Sequence, residues 1–359
     1  MTTDEGNAGR EARLPENRFG GWMARLLRRV PHGPRPPLHR PWAWPGELWR
    51  HGILGMNRRN AAYVLPGNPR SVYPRVDDKL LTKRLCEARG IPVPETYATI
   101  ERQGDIRRFL AMIDSRQDFV IKPAKGSAGR GIIMVVQHDG LQFTTSNGDR
   151  ASLADVRYHL GTILSGFYSL AGQPDRAIIE QRIVRHPVFA EVAVGGTPDL
   201  RIILYRCVPV MAMLRMPTRA SRGRANLHQG AVAAAVHLRT GQTFGGVCCN
   251  RAVTTHPDTG ASIEGLQIPG WDQLLTVAMN LADALQLGYV GVDFVLDAAR
   301  GPIVLEANAR PGLAIQTANR CGLLSRLALL DAQPPGPWTL EQRRELLASL
   351  ADMGGGRGH

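Results

Sequence analysis

No apolar run in this chain approaches the roughly 18 residues that cross a bilayer. The opening MTTDEGNAGREARLPENR is polar and partly acidic, unlike an export signal. Both absences point to a cytoplasmic protein. Cysteine is scarce as well: Cys86, Cys207, Cys248, Cys249 and Cys321 offer no CxxC spacing and no paired framework, which fits reduced thiols. The adjacent Cys248 and Cys249 read as small buried strand residues rather than a redox or metal pair. Aromatic residues are 6% of the chain and do not interleave with basic ones in any recognition motif, so nucleic acid is not the expected partner. No Ser-His-Asp or Cys-His arrangement and no internal repeat is visible, and without a nucleophile no covalent enzyme intermediate is expected.

What the chain does have is length and positive charge. Its 359 residues, 43% of them hydrophobic, can bury a sizeable core, and the formal net charge of +13 favours an anionic partner. Residues 1–49 are too rich in proline to sustain helix or central strand and read as an extension outside the fold. Within residues 19–30, Trp22, Met23, Leu26 and Leu27 alternate with Arg25, Arg28 and Arg29 in a basic amphipathic stretch. A membrane surface contacted peripherally, a partner, and the chain's own domain are its alternative docking sites.

Beyond Arg50, periodicity predicts a helix over Asp77–Arg89, capped by Asp77, with an apolar face of Leu80, Leu81, Leu85 and Ala88 and a stop at Gly90. A strand near Tyr97–Ile100 and a helix near Gly104–Ile113 follow. Two strands, FVIKP and GIIMVVQ, then flank a glycine-rich turn, and a helix covers Ser152–Ser165. From Ala177 to Val247, strand-like runs separated by polar turns predict one antiparallel sheet. A long helix at Trp271–Leu287 leads into a hairpin of YVGVDFVL and PIVLEAN, and a closing helix begins near Ile315.

That hairpin carries the strongest chemical signal. Glu306 and Asn308 are two residues apart, hence on one face, and the return strand brings Asp293 across to them. Three oxygen donors converge on an apolar background, the hard set that magnesium prefers when phosphates and water complete its shell. The second signal is FVIKPAKGSAGRGI, where a strand delivers Lys122 and the loop of Gly126, Ser127, Gly129 and Gly131 lets backbone N–H groups close on phosphate oxygens. It is neither a Walker loop, since no GK[ST] follows, nor a dinucleotide fingerprint, since a strand succeeds it.

In their order, VDDKLLTK, GIPVPETY, FVIKPAKGSAGRGI, IIEQRI, PDLRIILY, MAMLR, ANLHQGA, GVDFVL and LEANARPGL resemble the ATP-grasp superfamily over Gly52–Leu324, most closely its alpha-L-glutamate ligase-like members. The resemblance implies an α+β ATP-grasp fold, in which two α+β lobes clamp ATP, with a shortened N-terminal region. It divides the chain into the 1–49 extension, a 50–120 N-terminal region, a small nucleotide lobe at 121–180, a large lobe with the metal site at 181–332, and a 333–359 linker, short helix and Gly-rich tail. It also implies that Lys79 and Lys122 contact the nucleotide phosphates under the Gly126–Gly131 loop, that Glu180, Gln181 and Ile183 form the hinge at the adenine edge, and that Glu191 holds the ribose. Asp293, Glu306 and Asn308 match the metal ligands, for two Mg2+ ions or for Mn2+. Arg201, Arg215 and Arg310 match arginines facing the phosphates or the reacting acyl group, and Asn226 and His228 a polar substrate-binding turn. D-alanine ligases place an arginine two residues before the first metal aspartate, where this chain has Gly291.

The expected activity is ATP-dependent joining of a carboxylate to an amine through an acyl phosphate, with glutamate or another amino acid added to a peptide or small carboxylate. A small-molecule kinase on the same fold, and a non-catalytic nucleotide-binding scaffold with a basic membrane- or nucleic-acid-binding arm, are the alternatives. A homo-oligomer is compatible with either.

Overall fold

In the computed structural model, which describes residues 43–126, 129–169 and 172–353, the strand-forming runs sort into two separate antiparallel sheets. The basic amphipathic stretch at 19–30 lies outside the described residues. The chain divides into two units at His51, and in the first a short helix, Pro45–Arg50, is started by Glu47, whose carboxylate accepts the Trp44 backbone N–H. The second unit begins at Gly52.

The first sheet has the order β1-β6-β2-β3-β4-β5, with β1 Thr96–Ile100, β2 Phe119–Pro123, β3 Ile133–His138, β4 Gln142–Thr145, β5 Arg150–Ser152 and β6 Ala177–Glu180. It thus begins ahead of residue 121, and β6 pairs here, between β1 and β2, rather than in the sheet expected to run from Ala177 to Val247. Phe109, Phe119 and Phe143 form its buried centre, their rings 5.9–6.3 Å apart. The predicted helix at 104–113 breaks at Arg108, whose guanidinium turns back to Asp105, into Gln103–Arg107 and Phe109–Ile113.

Helix α1 runs from Lys79 to Glu87. Asp78 rather than Asp77 caps it, accepting from the Leu80 N–H at 3.0 Å, because Asp77 ends a preceding turn of helix, Pro74–Asp77. Gly90, at φ +65°, stops the helix as expected. Its buried face is Leu80, Thr82, Lys83 and Cys86, while Leu81 and Ala88 are exposed. The face is rotated because a buried carboxylate, Glu180, holds Lys83 inside. Helix α2, Leu153–Leu164, is capped reciprocally by Ser152 and Asp155 and buries Val156, Leu160 and Ile163 at helical spacing.

The second sheet reads β11-β10-β9-β8-β7-β12-β13: β7 Asp199–Tyr205, β8 Val208–Met216, β9 Val232–Val236, β10 Thr243–Cys248, β11 Arg251–Ala252, β12 Tyr289–Asp297 and β13 Gly301–Asn308. Strand β12 is buried at all nine positions, which its almost unbroken apolar run demands. Helices α3 (Trp271–Leu285), α4 (Ala314–Asn319), α5 (Leu324–Asp331) and α6 (Leu340–Asp352) pack with this sheet in one core. Cys248 ends β10 half-buried and Cys249 is exposed in the turn, so the vicinal pair is not the buried strand pair its sequence suggests.

Two buried amides fasten the short N-terminal region of this unit. Asn68 exchanges hydrogen bonds with the Tyr289 backbone and donates to the Ala309 carbonyl, and Gln316 does the same for both backbone groups of Leu54. The chain between β6 and β7 runs beside the β12–β13 turn: Asp297 accepts from the N–H groups of Val184, Ala299 and Arg300, and Val184 accepts from Ala298. The segment expected to line the base is therefore anchored to the hairpin expected to hold the metal.

Candidate active site

Strand register builds the centre of the site. Arg201 on β7, Asp293 on β12 and Glu306 on β13 are directly opposed on three adjacent strands. Asp199 lies two residues before Arg201 and Asn308 two after Glu306, which puts all five on one face of the sheet. Arg201 grips Asp293 with two parallel bonds, Nε to Oδ1 at 2.7 Å and Nη2 to Oδ2 at 2.5 Å. Arg215, opposite Asp199 on β8, donates from Nε to Asp199 in a very close contact and from Nη2 to Asp293 Oδ2 at 3.0 Å. Asn308 Nδ2 donates to Glu306 Oε1 at 3.2 Å.

These pairs decide the charge states. Burial pushes the Asp293 carboxyl up, but Arg201 and Arg215 outweigh it and hold the group far below the usual carboxylate range. At Asp199 burial wins over Arg215, and the neighbouring Asp293 charge adds to it, so that carboxyl is pushed up to about 7. Burial lowers both guanidiniums, yet Asp293 raises Arg201 and the two aspartates raise Arg215 above the ordinary arginine value.

The donor set suits a hard cation. Asp293 Oδ2 already accepts two hydrogen bonds and Oδ1 only one, leaving a lone pair there, and Glu306 accepts a single bond from Asn308. Among the described residues no three His, Cys, Asp or Glu side chains gather into a metal cage; the side-chain amide of Asn308 lies beside Glu306.

A second cluster lies where α1 meets β2 and β6. Glu180 accepts from Lys83 Nζ at 2.6 Å through one oxygen and pairs with Lys122 Nζ at 2.5 Å through the other, with all three side chains at least 90% buried. Lys79 Nζ donates to the Gly126 carbonyl at 2.5 Å. Burial pushes the Lys79 and Lys83 ammoniums down; Glu306 is the largest charge opposing this at Lys79, as Glu180 is at Lys83. Lys79 thus links the glycine-rich loop electrostatically to the β13 carboxylate.

That loop is clamped at both described ends. Asp175 accepts from the Lys125 N–H and the Ser169 hydroxyl beside Gly126, and the Gly131 carbonyl accepts from His159 Nε2 at 2.9 Å. Gly131, at φ +75°, lies flat on Tyr168: a Cβ there would fall 2.6 Å from the ring. Gly129 shares the positive φ, and Ser127 lies outside the described residues.

The remaining expected site residues have local partners or surroundings of their own. Glu180 is held by Lys83 and Lys122, while Gln181 accepts from Arg300 and Ile183 follows in the connecting segment. Glu191 is exposed and makes no hydrogen bond to another candidate residue among the described ones. Arg310 stacks 5.2 Å over Tyr73. Asn226 caps its own turn by accepting the His228 N–H, and the His228 side chain is exposed. Gly291 has a local reason to lack a side chain, since its Cβ would meet Pro311 at 2.5 Å. Sequence reading missed Lys83 and Asp199, although Lys83 is four residues after Lys79 on one helix face and Asp199 two before Arg201 on one strand face.

A model of the family described as sugar-transfer associated ATP-grasp matches residues 58–332. The chain belongs to that ATP-grasp family. Among curated proteins this ATP-grasp chain is similar to a probable alpha-L-glutamate ligase of Thioalkalivibrio sulfidiphilus, 26% identical over 283 residues, covering 78% of this chain and 71% of the relative. A probable alpha-L-glutamate ligase of Vibrio cholerae is 25% identical over 250 residues, covering 70% and 61%. The chain thus spans between 61% and 71% of the length of these two relatives. Among solved structures, the ATP-grasp ligase PsnB complexed with minimal precursor aligns at a TM-score of 0.40 and 13% identity, over 79% of this chain and 62% of that one.

Proposed function

We propose that this ATP-grasp protein is a cytoplasmic ATP-dependent carboxylate–amine ligase of the acid–amino-acid class, adding glutamate or another amino acid to a peptide or small carboxylate. The observation that carries the reading is the Arg201–Asp293–Glu306 row: an acidic site for a cation beside guanidiniums, faced electrostatically by Lys79. The names of the curated relatives support glutamate as the amine. The nucleotide cleft falls between the small lobe, 121–180 with β1, and the large lobe, 181–332.

In this reading Lys79 and Lys122 hold the triphosphate under the Gly126–Gly131 loop, and Glu180 with Lys83 keeps the Lys122 ammonium aimed before nucleotide arrives. Gln181 and Ile183 border the base, and Glu191 is left for the ribose. Asp293, Glu306 and Asn308 would hold Mg2+, which when bound offsets phosphate charge. An acceptor carboxylate oxygen attacks the γ-phosphorus, the bond to the ADP oxygen breaks, and an acyl phosphate forms. The amine nitrogen then attacks the acyl carbon, phosphate departs with the bonding pair, and the nitrogen loses a proton. Arg201 and Arg215 sit where this sequence concentrates negative charge, and their fixed partners keep them oriented without reorganisation.

Incubating the protein with ATP, Mg2+, glutamate and a panel of carboxylates tests the proposal. ADP release with a product heavier by one amide-linked residue is expected. A phosphorylated product would instead assign a kinase, and no ADP release with any acceptor would remove the ligase reading.

A further inference from the structure

Strands β10 and β11 are joined by a two-residue turn, Cys249–Asn250, since Cys248 pairs with Arg251 and Val247 with Ala252. Both turn residues have positive φ, +49° and +60°, the signs that a type I′ turn requires and that favour asparagine, aspartate or glycine at each position. Asn250 suits that backbone. Cys249 gains nothing from it, yet the turn presents its thiol to solvent. Cys249 Sγ lies 3.9 Å from Sγ of the half-buried Cys248, which in turn lies 3.7 Å from the Gly230 carbonyl oxygen.

The other cysteines are shielded. Cys86 is buried, Cys207 and Cys321 are half-buried, and burial pushes all three thiols up, the first two to about 12. Burial also pushes the Cys248 thiol up to about 11, and the hydrogen bond to Cys249 and the charge there add to it. Oxidants take the accessible thiol first, which in this chain is Cys249. Once Cys249 is a neutral sulfenic acid, its charge no longer opposes ionisation of Cys248. Adjacent α-carbons stand about 3.8 Å apart, less than the roughly 4.4–6.8 Å that a disulfide ordinarily spans, so a bridge between neighbours is strained and readily reduced.

The Cys248 sulfur also rests on a turn outside its own hairpin. Gly230, at φ +94°, ends the turn Leu227–Gln229, its N–H donating to the Leu227 carbonyl and the Ala231 N–H to the Asn226 carbonyl. A sulfur drawn toward Cys249 leaves the Gly230 carbonyl with the Thr218 hydroxyl as its side-chain donor among the described residues.

We propose that Cys248 and Cys249 are a reversible oxidation site, at which a peroxide converts the reduced pair to a vicinal disulfide and thereby loosens the Leu227–Gln229 turn. The Cys249 sulfur attacks a peroxide oxygen, the O–O bond breaks, and a sulfenic acid forms with release of water. The Cys248 sulfur then attacks the Cys249 sulfur, the S–O bond breaks, and hydroxide leaves as a second water with the Cys248 proton. Two thiols are oxidised by two electrons and hydrogen peroxide is reduced by two.

The test is peptide mapping of the full chain after brief treatment with hydrogen peroxide. Trypsin, cutting after Arg239 and Arg251, releases a peptide, 240–251, that carries these two cysteines and no other. That peptide is expected to become two hydrogen masses lighter before any other cysteine peptide changes, and dithiothreitol should restore it. Cys248→Ser, which keeps a donor for Gly230, should instead accumulate a sulfenic acid at Cys249 that dimedone traps. Cys249→Ser should leave the peptide unmodified at the same dose. In the oxidised wild type, the Gly230 and Ala231 amides should exchange hydrogen at least about tenfold faster. Both thiols left free while another cysteine oxidises, a bridge to a second chain, or a product that dithiothreitol does not reverse overturns the oxidation site. Unchanged exchange at Gly230 and Ala231 overturns its link to the turn.

Discussion

Arg201 and Asp293 face each other across the β7–β12 pair, and two bonds of 2.7 and 2.5 Å lock the guanidinium fork onto the carboxylate. Both groups are out of water, with side-chain exposures of 14% and 4%. Truncating one partner of such a pair leaves an uncompensated charge, at a cost of about 3–5 kcal/mol. Arg201→Ala is therefore expected to lower the urea unfolding free energy by an amount of that order. Arg201→Lys keeps the charge but not the fork and should lose less, roughly half as much. An Arg201→Ala variant as stable as wild type would show that Arg215 alone satisfies Asp293.

Glu180 gives a sharper discrimination. With its two oxygens committed to Lys83 and Lys122, Glu180→Gln strands two buried ammoniums. Stability should fall by about 3 kcal/mol or more, and the KM for ATP should rise several-fold because Lys122 loses its aim. Preference for ATP over GTP should be unchanged, since both carboxylate oxygens are taken up by lysines. A variant that loses base selectivity and keeps stability would return Glu180 to the adenine edge.

Helix α2 and the hairpin were legible from the sequence because both rest on local signals: Ser152 at the helix start, and the alternation that sets Glu306 and Asn308 on one face. What was not legible depends on contacts between distant residues. The run at Ala177–Glu180 looks like its neighbours at 199–216, and only pairing with β1 and β2 assigns it to the other sheet. Lys83 reads as a surface lysine until Glu180, 97 residues away, is found inside with it. The pairing of Arg201 with Asp293 and of Arg215 with Asp199 was not readable either, since these partners are matched through sheet register alone.

Acid should loosen the glycine-rich loop. Burial pushes the His159 pKa below its ordinary value of 6.5, against the opposing hydrogen bond to Gly131. Between that depressed value and 6.5 the unfolded chain binds more protons than the folded one, so stability rises with pH there. The contribution is present above 6.5 and is lost as pH falls through the folded-state value. Unfolding free energies measured from acid to neutral pH should therefore drop more steeply for wild type than for His159→Gln. Parallel curves would contradict this.

Gly131 rests against Tyr168 with no room for a methyl group. Gly131→Ala is expected to raise the KM for ATP about tenfold with a smaller change in kcat, because it displaces the loop rather than the reacting atoms. Adding Tyr168→Ala should recover part of the loss by removing the clash, the remainder reflecting the positive φ. No change in steady-state kinetics for Gly131→Ala would dissociate this loop from nucleotide binding.

Transfer of isotopic oxygen tests the central claim most directly. With the acceptor carboxylate labelled with 18O, the acyl-phosphate route carries one labelled oxygen into the inorganic phosphate released with ADP, at a rate matching amide formation. Mass spectrometry of that phosphate is expected to show a single label, lost together with amide formation in Asp293→Asn and Glu306→Gln. Unlabelled phosphate, or phosphate retained on the product with no amide bond formed, would contradict the assignment of this chain as a carboxylate–amine ligase.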